Sequence, residues 1–480
     1  MIRRHANAIT GALAALVTLT SGCAALRAPD EPVTHERHDA PLQDSSVPLN
    51  SEAQWPTLTW WRDYGDDTLN TLIDQALHDS PGMSAAAARF ATASENARVT
   101  GAQSGLQVDS FAKYELYRLS DNGLIPPEFL GYHWVNQSDL GISATYTFDW
   151  WGRNRSLIES ATNQARASEA EQQGVALTLA ANIAQSYFGW QLEGARIALL
   201  DEQLATLQQA ALITQHREAA GLDRSDDGDR NRRDQAAVRE LRTQLQGAQK
   251  VRVIEIAALL GTSPDHVNSL LQAHMLPKAR AGLPANASID LIAHRPDIAA
   301  SRWRVEAARK DVASIRAEYY PDVSIHALAA LSSVDFIKLL DPGSWAPSTG
   351  FAVHLPLFDA GLRGARHDEA SARLAAAVAR YNETIVDAAR EVGTAASKLT
   401  QSSAQRVERA NQVQAAQSLL RSARARQQSG VTDLRPELDA SISLQRELDA
   451  SLQVDYSILV ADIQLQAALG GGLTTTETSP

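Results

Sequence analysis

GISATYTFDWWGR at residues 141–153 and GFAVHLPLFDAGLR at residues 350–363 decide the fold. Each runs an alternating strand pattern through Phe-Asp to a Gly and an Arg, and then into a long alanine-rich helical tract. The pairs Phe148-Asp149 and Phe358-Asp359 lie 358 − 148 = 210 positions apart. That period is too long for a stacked solenoid repeat, so it reads as duplication of a half-molecule.

Beyond each Phe-Asp the helical periodicity hardly stops. From Arg153 to about His216 there is no proline, and Val175, Leu179, Ile183, Tyr187, Trp190, Ile197, Leu200, Leu204 and Leu207 return at steps of three, four or seven. Leu374, Val378, Tyr381, Ile385, Val392 and Leu399 mark the same stripe in the second copy. A helix of roughly 64 residues is about 95 Å long, more than a compact domain holds. Each tract has a returning partner, Val238 to Val251 in the first copy and Leu434 to Ile463 in the second. The chain therefore carries two long antiparallel helical hairpins, turning near Gly221-Leu222 and Gly430-Val431.

Four segments alternate as strands do. Val108 to Leu116 and Trp134 to Phe148 form one pair; Val323 to Leu331 and Phe351 to Leu357 form the other. At about ten residues or a little more, each suits a tilted strand crossing hydrocarbon. Tyr117, Tyr132, Trp134 and Trp345 sit near strand ends, where an interfacial aromatic girdle is expected. The turn-rich segments Asp121 to Gly131 and Ser332 to Gly343 are placed outside the cell. Four strands cannot close a barrel, and an open edge in lipid leaves backbone groups unpaired at several kcal/mol each. Closure must come from further copies: two give a filled eight-stranded barrel, three give twelve strands and a lumen.

The N-terminus indicates export. Arg3 and Arg4 precede an uncharged run ending Leu19-Thr20-Ser21-Gly22-Cys23, a secretory signal with a small-residue cleavage site. Cys23 is the only cysteine, which excludes a disulfide within one chain; its place resembles the lipid-attachment cysteine of bacterial lipoproteins. Ala24 rather than Asp after it implies delivery to the outer membrane. A net charge of −12, from 44 basic and 56 acidic residues, argues against a nucleic-acid partner. There is no GxxxxGK[ST], HExxH or GxSxG, which argues against nucleotide hydrolysis, zinc proteolysis and α/β-hydrolase chemistry. Neither catalytic residues nor a cofactor are expected.

These residues resemble the outer membrane efflux protein family, the TolC-like channels, and within it the NodT-type efflux lipoproteins. Trp60-Trp61-Arg62-Asp63-Tyr64 with Leu69, Leu72, Ile73 and Ala76 carries the opening motif. Arg295-Pro296-Asp297-Ile298, Ala317, Tyr320-Pro321, Pro356-Leu357-Phe358-Asp359, Gly361, Arg363, Tyr381 and Arg390-Glu391-Val392 carry the rest. The resemblance implies a mainly α fold with membrane β. Three copies would form a twelve-stranded outer membrane β-barrel continuous with a periplasmic α-barrel of helical hairpins. It implies a homotrimer that passively conducts small molecules as the exit duct of a tripartite pump. The partners would be a periplasmic adaptor, docking at Gly221, Leu222, Gly430 and Val431, and an inner-membrane transporter. It also implies a periplasmic gate of acidic residues past the second turn, with Asp439 at the motif's closing position and Glu437 and Asp433 near it. Pro436 stands where some relatives carry a second acid. The alternatives are a type I protein-secretion duct and a periplasmic coiled-coil scaffold without a pore.

The first tip departs from that pattern. Asp223, Ser225, Asp227, Gly228, Asp229, Asn231 and Asp234 partly mimic a calcium loop, but Asp234 replaces the bidentate Glu and Arg230 the apolar position. No metal is expected, and the segment reads as a solvated, salt-bridged turn. The twelve histidines lack ligand spacing, and three methionines argue against a copper relay. The expected organisation is a signal peptide at 1–22, a lipid-anchored tether at 23–58, efflux repeats at 59–260 and 292–469 joined by an equatorial linker at 261–291, and a disordered tail at 470–480.

Overall fold

The computed structural model describes residues 28–30, 32–39, 55–122, 126–222, 224–279 and 294–472. The chain divides into two compact units, each drawing on both sequence halves. One is built mainly of Ala91–Arg166 and Arg302–Ala379, the other of Glu36–Phe90, Ala167–Ser301 and the chain from Arg380 onward.

The first unit holds one antiparallel sheet in the order β1-β2-β3-β4: β1 Gln107–Arg118, β2 Trp134–Phe148, β3 Asp322–Ser333 and β4 Ser348–His354. The central pairing, β2 with β3, joins the two sequence copies, with Phe148 opposite Val323 and Leu140 opposite Leu331. β4 ends at His354 rather than running to Leu357. Pro356 has no N–H to give a ladder, so the alternation of Leu355 and Leu357 continues past the end of pairing.

The helices are long where the periodicity is long. In chain order they are α1 Asp67–Asp79, α2 Pro81–Gln103, α3 Arg153–Ala219, α4 Ser225–Leu260, α5 Pro264–Leu270, α6 Pro296–Ala317, α7 Leu362–Gln428 and α8 Arg435–Ala468. α3 and α7 each have 67 residues. Cross-links whose numbers rise on one helix as they fall on the other make α3 and α4 an antiparallel hairpin: Thr214 with Asn231, Asp201 with Arg242, and Glu193 with Arg252. Arg424 with Glu437 and Arg409 with Glu447 do the same for α7 and α8.

The charged stretch after Arg224 is helix, not turn. Asp226 and Asp227 fall in the first turn of α4, where they complement the helix dipole, and Asp227–Arg230 and Asp229–Arg232 are i,i+3 ion pairs that support it. Gly228, read as the sixth position of a calcium-like loop, instead lets a carboxylate of α3 approach. Its N–H donates to Glu218 Oε1 at 3.1 Å, and a Cβ there would lie 2.8 Å from that oxygen. Asp223 lies outside the described residues. Among the described residues no acidic, histidine or cysteine cluster is arranged to hold a metal.

The second unit has the apolar core. Trp60, Trp61, Leu69, Leu72 and Ile73 pack onto Ile183, Tyr187 and Phe188 of α3, Ile256 and Leu260 of α4, and Leu459 and Ile463 of α8. Two tyrosines, Tyr187 buried and Tyr64 partly so, lock the opening motif to it. Tyr64 donates to Asp462 Oδ2 at 3.0 Å, and Tyr187 donates to Asp66 Oδ2 at 2.8 Å, while Asp66 Oδ1 caps α1 through Leu69 N–H. Burial and then the facing carboxylate push both phenols above their ordinary range, so both remain donors. The Arg-Pro-Asp motif has a similar task. Arg295 is buried and donates to Asp297, to Glu391 of α7 at 2.8 Å and to the Ala468 carbonyl at the end of α8 at 2.7 Å.

Candidate functional site

The repeated Phe-Asp turns a strand into a helix. Asp149 accepts from Asn154 N–H at 3.0 Å and Arg155 N–H at 2.8 Å, satisfying two of the donors left open at the start of α3. Asp359 does so for α7 through Gly361 and Arg363 N–H, and also takes Arg363 Nε at 2.6 Å. That guanidinium holds the Asp359 carboxyl below the usual aspartate range. The copies differ by one residue in the turn. Gly152 takes positive φ in the first, whereas in the second both Ala360 (φ 54°) and Gly361 do, Ala360 being the sole non-glycine with positive φ among the described residues. Trp151 closes the junction by donating to the Pro321 carbonyl and stacking on Tyr320 at 4.6 Å.

Register fixes two faces for the sheet. Even positions of β1 and β2 align with odd positions of β3 and β4, so Ala112, Leu140 and Leu331 share a face with Ile142 and Ala329. Tyr146, Ile325 and Phe351 continue it, followed by Phe148, Val323 and Val353. That apolar band crosses all four strands. The other face carries Lys113, Glu115, Gln137, Asp139, Thr145, His326 and Ser332; Gln137 and Ser332 both donate to Asp139 Oδ1. Tyr117, expected in the girdle, lies on this polar face opposite Val135, because its odd number puts it on the face away from Trp134, which pairs with Arg118. Further aromatic rings lie just past the strand ends. Phe148 stacks on Trp150 at 5.6 Å, and Phe358 is 88 % exposed at the matching end of the second copy. Among the described residues, β1 and β4 each have one side without a strand partner.

The two helix tips are built alike. Gly221 N–H donates to the Glu218 carbonyl and Leu222 N–H to the Arg217 carbonyl, with Gly221 at φ 72°. Gly430 and Val431 repeat this onto Gln427 and Arg426, with Gly430 at φ 69°. Both are Schellman ends, which need a residue free to turn left-handed and leave the next side chain outside the helix. Leu222 and Val431 are accordingly 65 % and 70 % exposed.

The acidic residues expected at a gate are not equivalent. Asp433 is paired with Arg435 at 2.9 Å and reaches Arg217 on the other hairpin at 3.8 Å, and Arg435 holds its carboxyl below the ordinary range. Glu437 is paired with Arg424 at 2.9 Å. Asp439 is exposed on α8, and among the described residues no ion pair reaches it. Cys23 lies outside the described residues, as do most of the tether and the tail; of the tether's described part, Arg37 N–H donates to Asn382 on α7.

Comparison with known proteins agrees with this geometry. Residues 72–262 and 288–471 match the sequence profile described as outer membrane efflux protein. The chain is 27 % identical to the multidrug resistance outer membrane protein MdtQ of Escherichia coli O157:H7 over 466 residues, covering 95 % of this chain and 96 % of that protein. The crystal structure of the outer membrane protein VceC from Vibrio cholerae superposes with a TM-score of 0.77 at 30 % identity, over 87 % of this chain and all of VceC. The outer-membrane channel OprN gives 0.82 at 25 % identity, over 93 % and 99 %.

Proposed function

We propose a mode of action from one premise: the chain belongs to the outer membrane efflux protein family. It is an outer membrane efflux channel of TolC-like fold. In our reading it is a passive exit duct for small molecules, working with a periplasmic adaptor and an inner-membrane transporter that supplies the energy. The multidrug resistance name of its relative MdtQ supports toxic small molecules, rather than secreted proteins, as cargo.

The observation that carries this reading is the sheet, with one continuous apolar face, one polar face and two open edges. Such a sheet is stable in lipid only when its edges are paired. Three copies would join β4 of one subunit to β1 of the next and line a lumen with the polar face. The long hairpins would extend the duct into the periplasm, with adaptor contacts at Leu222 and Val431 beside Gly221 and Gly430. Asp439 would ring the aperture, while the Asp433–Arg217 pair holds the two hairpins together at rest and the Glu437–Arg424 pair ties α7 to α8 within the second hairpin. Cys23, acylated after removal of the signal peptide, would anchor each subunit to the outer membrane.

Purified protein reconstituted in a planar bilayer tests the duct. Discrete conductance steps that grow on Arg217→Ala substitution, which removes the pair between the hairpins, are expected. A bilayer that stays silent with the unsubstituted protein and with this variant would refute it.

A further inference from the structure

The segment between β3 and β4 is placed by its rings. Tyr114 is an even-numbered residue of β1 and therefore stands on the apolar face, two positions from Ala112 and from Leu116. Phe336, in a short 3₁₀ turn at Phe336–Lys338, meets the Tyr114 ring edge to face at 6.3 Å, and the turn packs against β2. The connection therefore folds down over the outer face of the β1–β2 pair. Asp335 fixes the fold by capping Ile337 N–H at 3.0 Å, and Ser344 ties it back through the Lys338 carbonyl at 2.7 Å. This arrangement seats Phe336 against Tyr114 with its other side open, and leaves Ile337 and Leu340 exposed beside it, Ile337 at 89 %.

Resting on the reading of the apolar face as the lipid-facing wall, we propose that residues 334–340 form a collar embedded among the acyl chains of the outer leaflet. They would not form a loop standing in the external medium. The occupant follows from continuity: the three side chains extend a surface that already meets hydrocarbon through Tyr114 and Leu140. Large apolar side chains gathered in one exposed cluster are unfavourable in water. Lys338, on the same turn, is a long cation that can reach the headgroup level from a shallow position.

Single cysteines at Ile337 and, as a reference on the sheet, at Ile142 are introduced into the full chain. Each is labelled with bimane, with the unsubstituted chain as the blank for Cys23. Reconstitution in dioleoylphosphatidylcholine vesicles, with or without the acyl-brominated lipid, then reads depth. The collar predicts blue-shifted emission at Ile337→Cys that brominated lipid quenches several times more strongly than aqueous iodide does. Iodide quenching at Ile337→Cys with lipid quenching at Ile142→Cys would overturn the collar and leave the barrel standing. Protection from both quenchers at Ile337→Cys would put the segment against a neighbouring subunit and also overturn it. Aqueous quenching at Ile142→Cys would overturn the barrel itself.

Discussion

At the scale of single residues, the tips turn on two glycines and a few arginines. Gly221 and Gly430 hold left-handed backbone that costs an L-residue about 1–2 kcal/mol. Gly221→Ala and Gly430→Ala are therefore each expected to weaken their tip by about 1 kcal/mol, seen as faster amide exchange confined to the adjoining helix ends. The Asp433 pairs give a pH signature. Because that carboxyl is depressed in the folded chain, its contribution is complete above the unfolded aspartate value of about 3.9 and is lost as pH falls through the lower folded value. The protection factors of the tip amides, which divide out the pH dependence of intrinsic exchange, should thus be flat from neutral pH down to about 5 and fall only below about 4. Protection that falls near pH 6 would point to a different latch.

At the scale of elements, the sheet faces make the sharpest prediction. Ile142→Lys puts a charge on the apolar band and is expected to cost about 2–4 kcal/mol in a bilayer, whereas Thr145→Lys on the polar face should cost little. The yield of heat-modifiable oligomer in detergent compares the two; equal loss would contradict the assignment of faces. Likewise Asp149→Ala should remove about 1 kcal/mol of helix-start stability, read as faster exchange in the first turn of α3.

Much of this level was legible in the sequence, because strand alternation and a stripe over 67 residues are long signals that local exceptions do not mask. The Phe-Asp repeat was visible, but not its reason, since an Asp that caps a helix from several residues upstream looks like any other Asp. β4 was misplaced because alternation persists beyond Pro356, where pairing cannot. The start of α4 was misread because its Asp, Asn, Arg and Gly residues suit a turn equally well. Only the i,i+3 pairs and the approach of Glu218 to Gly228 decide for helix. The exposed rings of Trp150 and Phe358 are not marked by the strand pattern, because they lie past the alternating run, in the turn leading to each long helix.

At the scale of the whole molecule, function rests on what one chain lacks. The motifs that carry the family resemblance serve architecture rather than transport: Tyr64 holds Asp462, and Arg295 joins α7 and the end of α8. Asp297 and Glu391 are half exposed, so Arg295→Ala mainly strands the buried Ala468 carbonyl and should cost about 1–3 kcal/mol, lowering the thermal midpoint of the assembled protein. The sheet, by contrast, has edges at β1 and β4 that a lone chain leaves unpaired in lipid. Counting the subunits by native mass spectrometry of the protein released from lipid nanodiscs tests that need most directly. Three copies in one particle is the predicted result, and a particle holding a single chain would contradict the account.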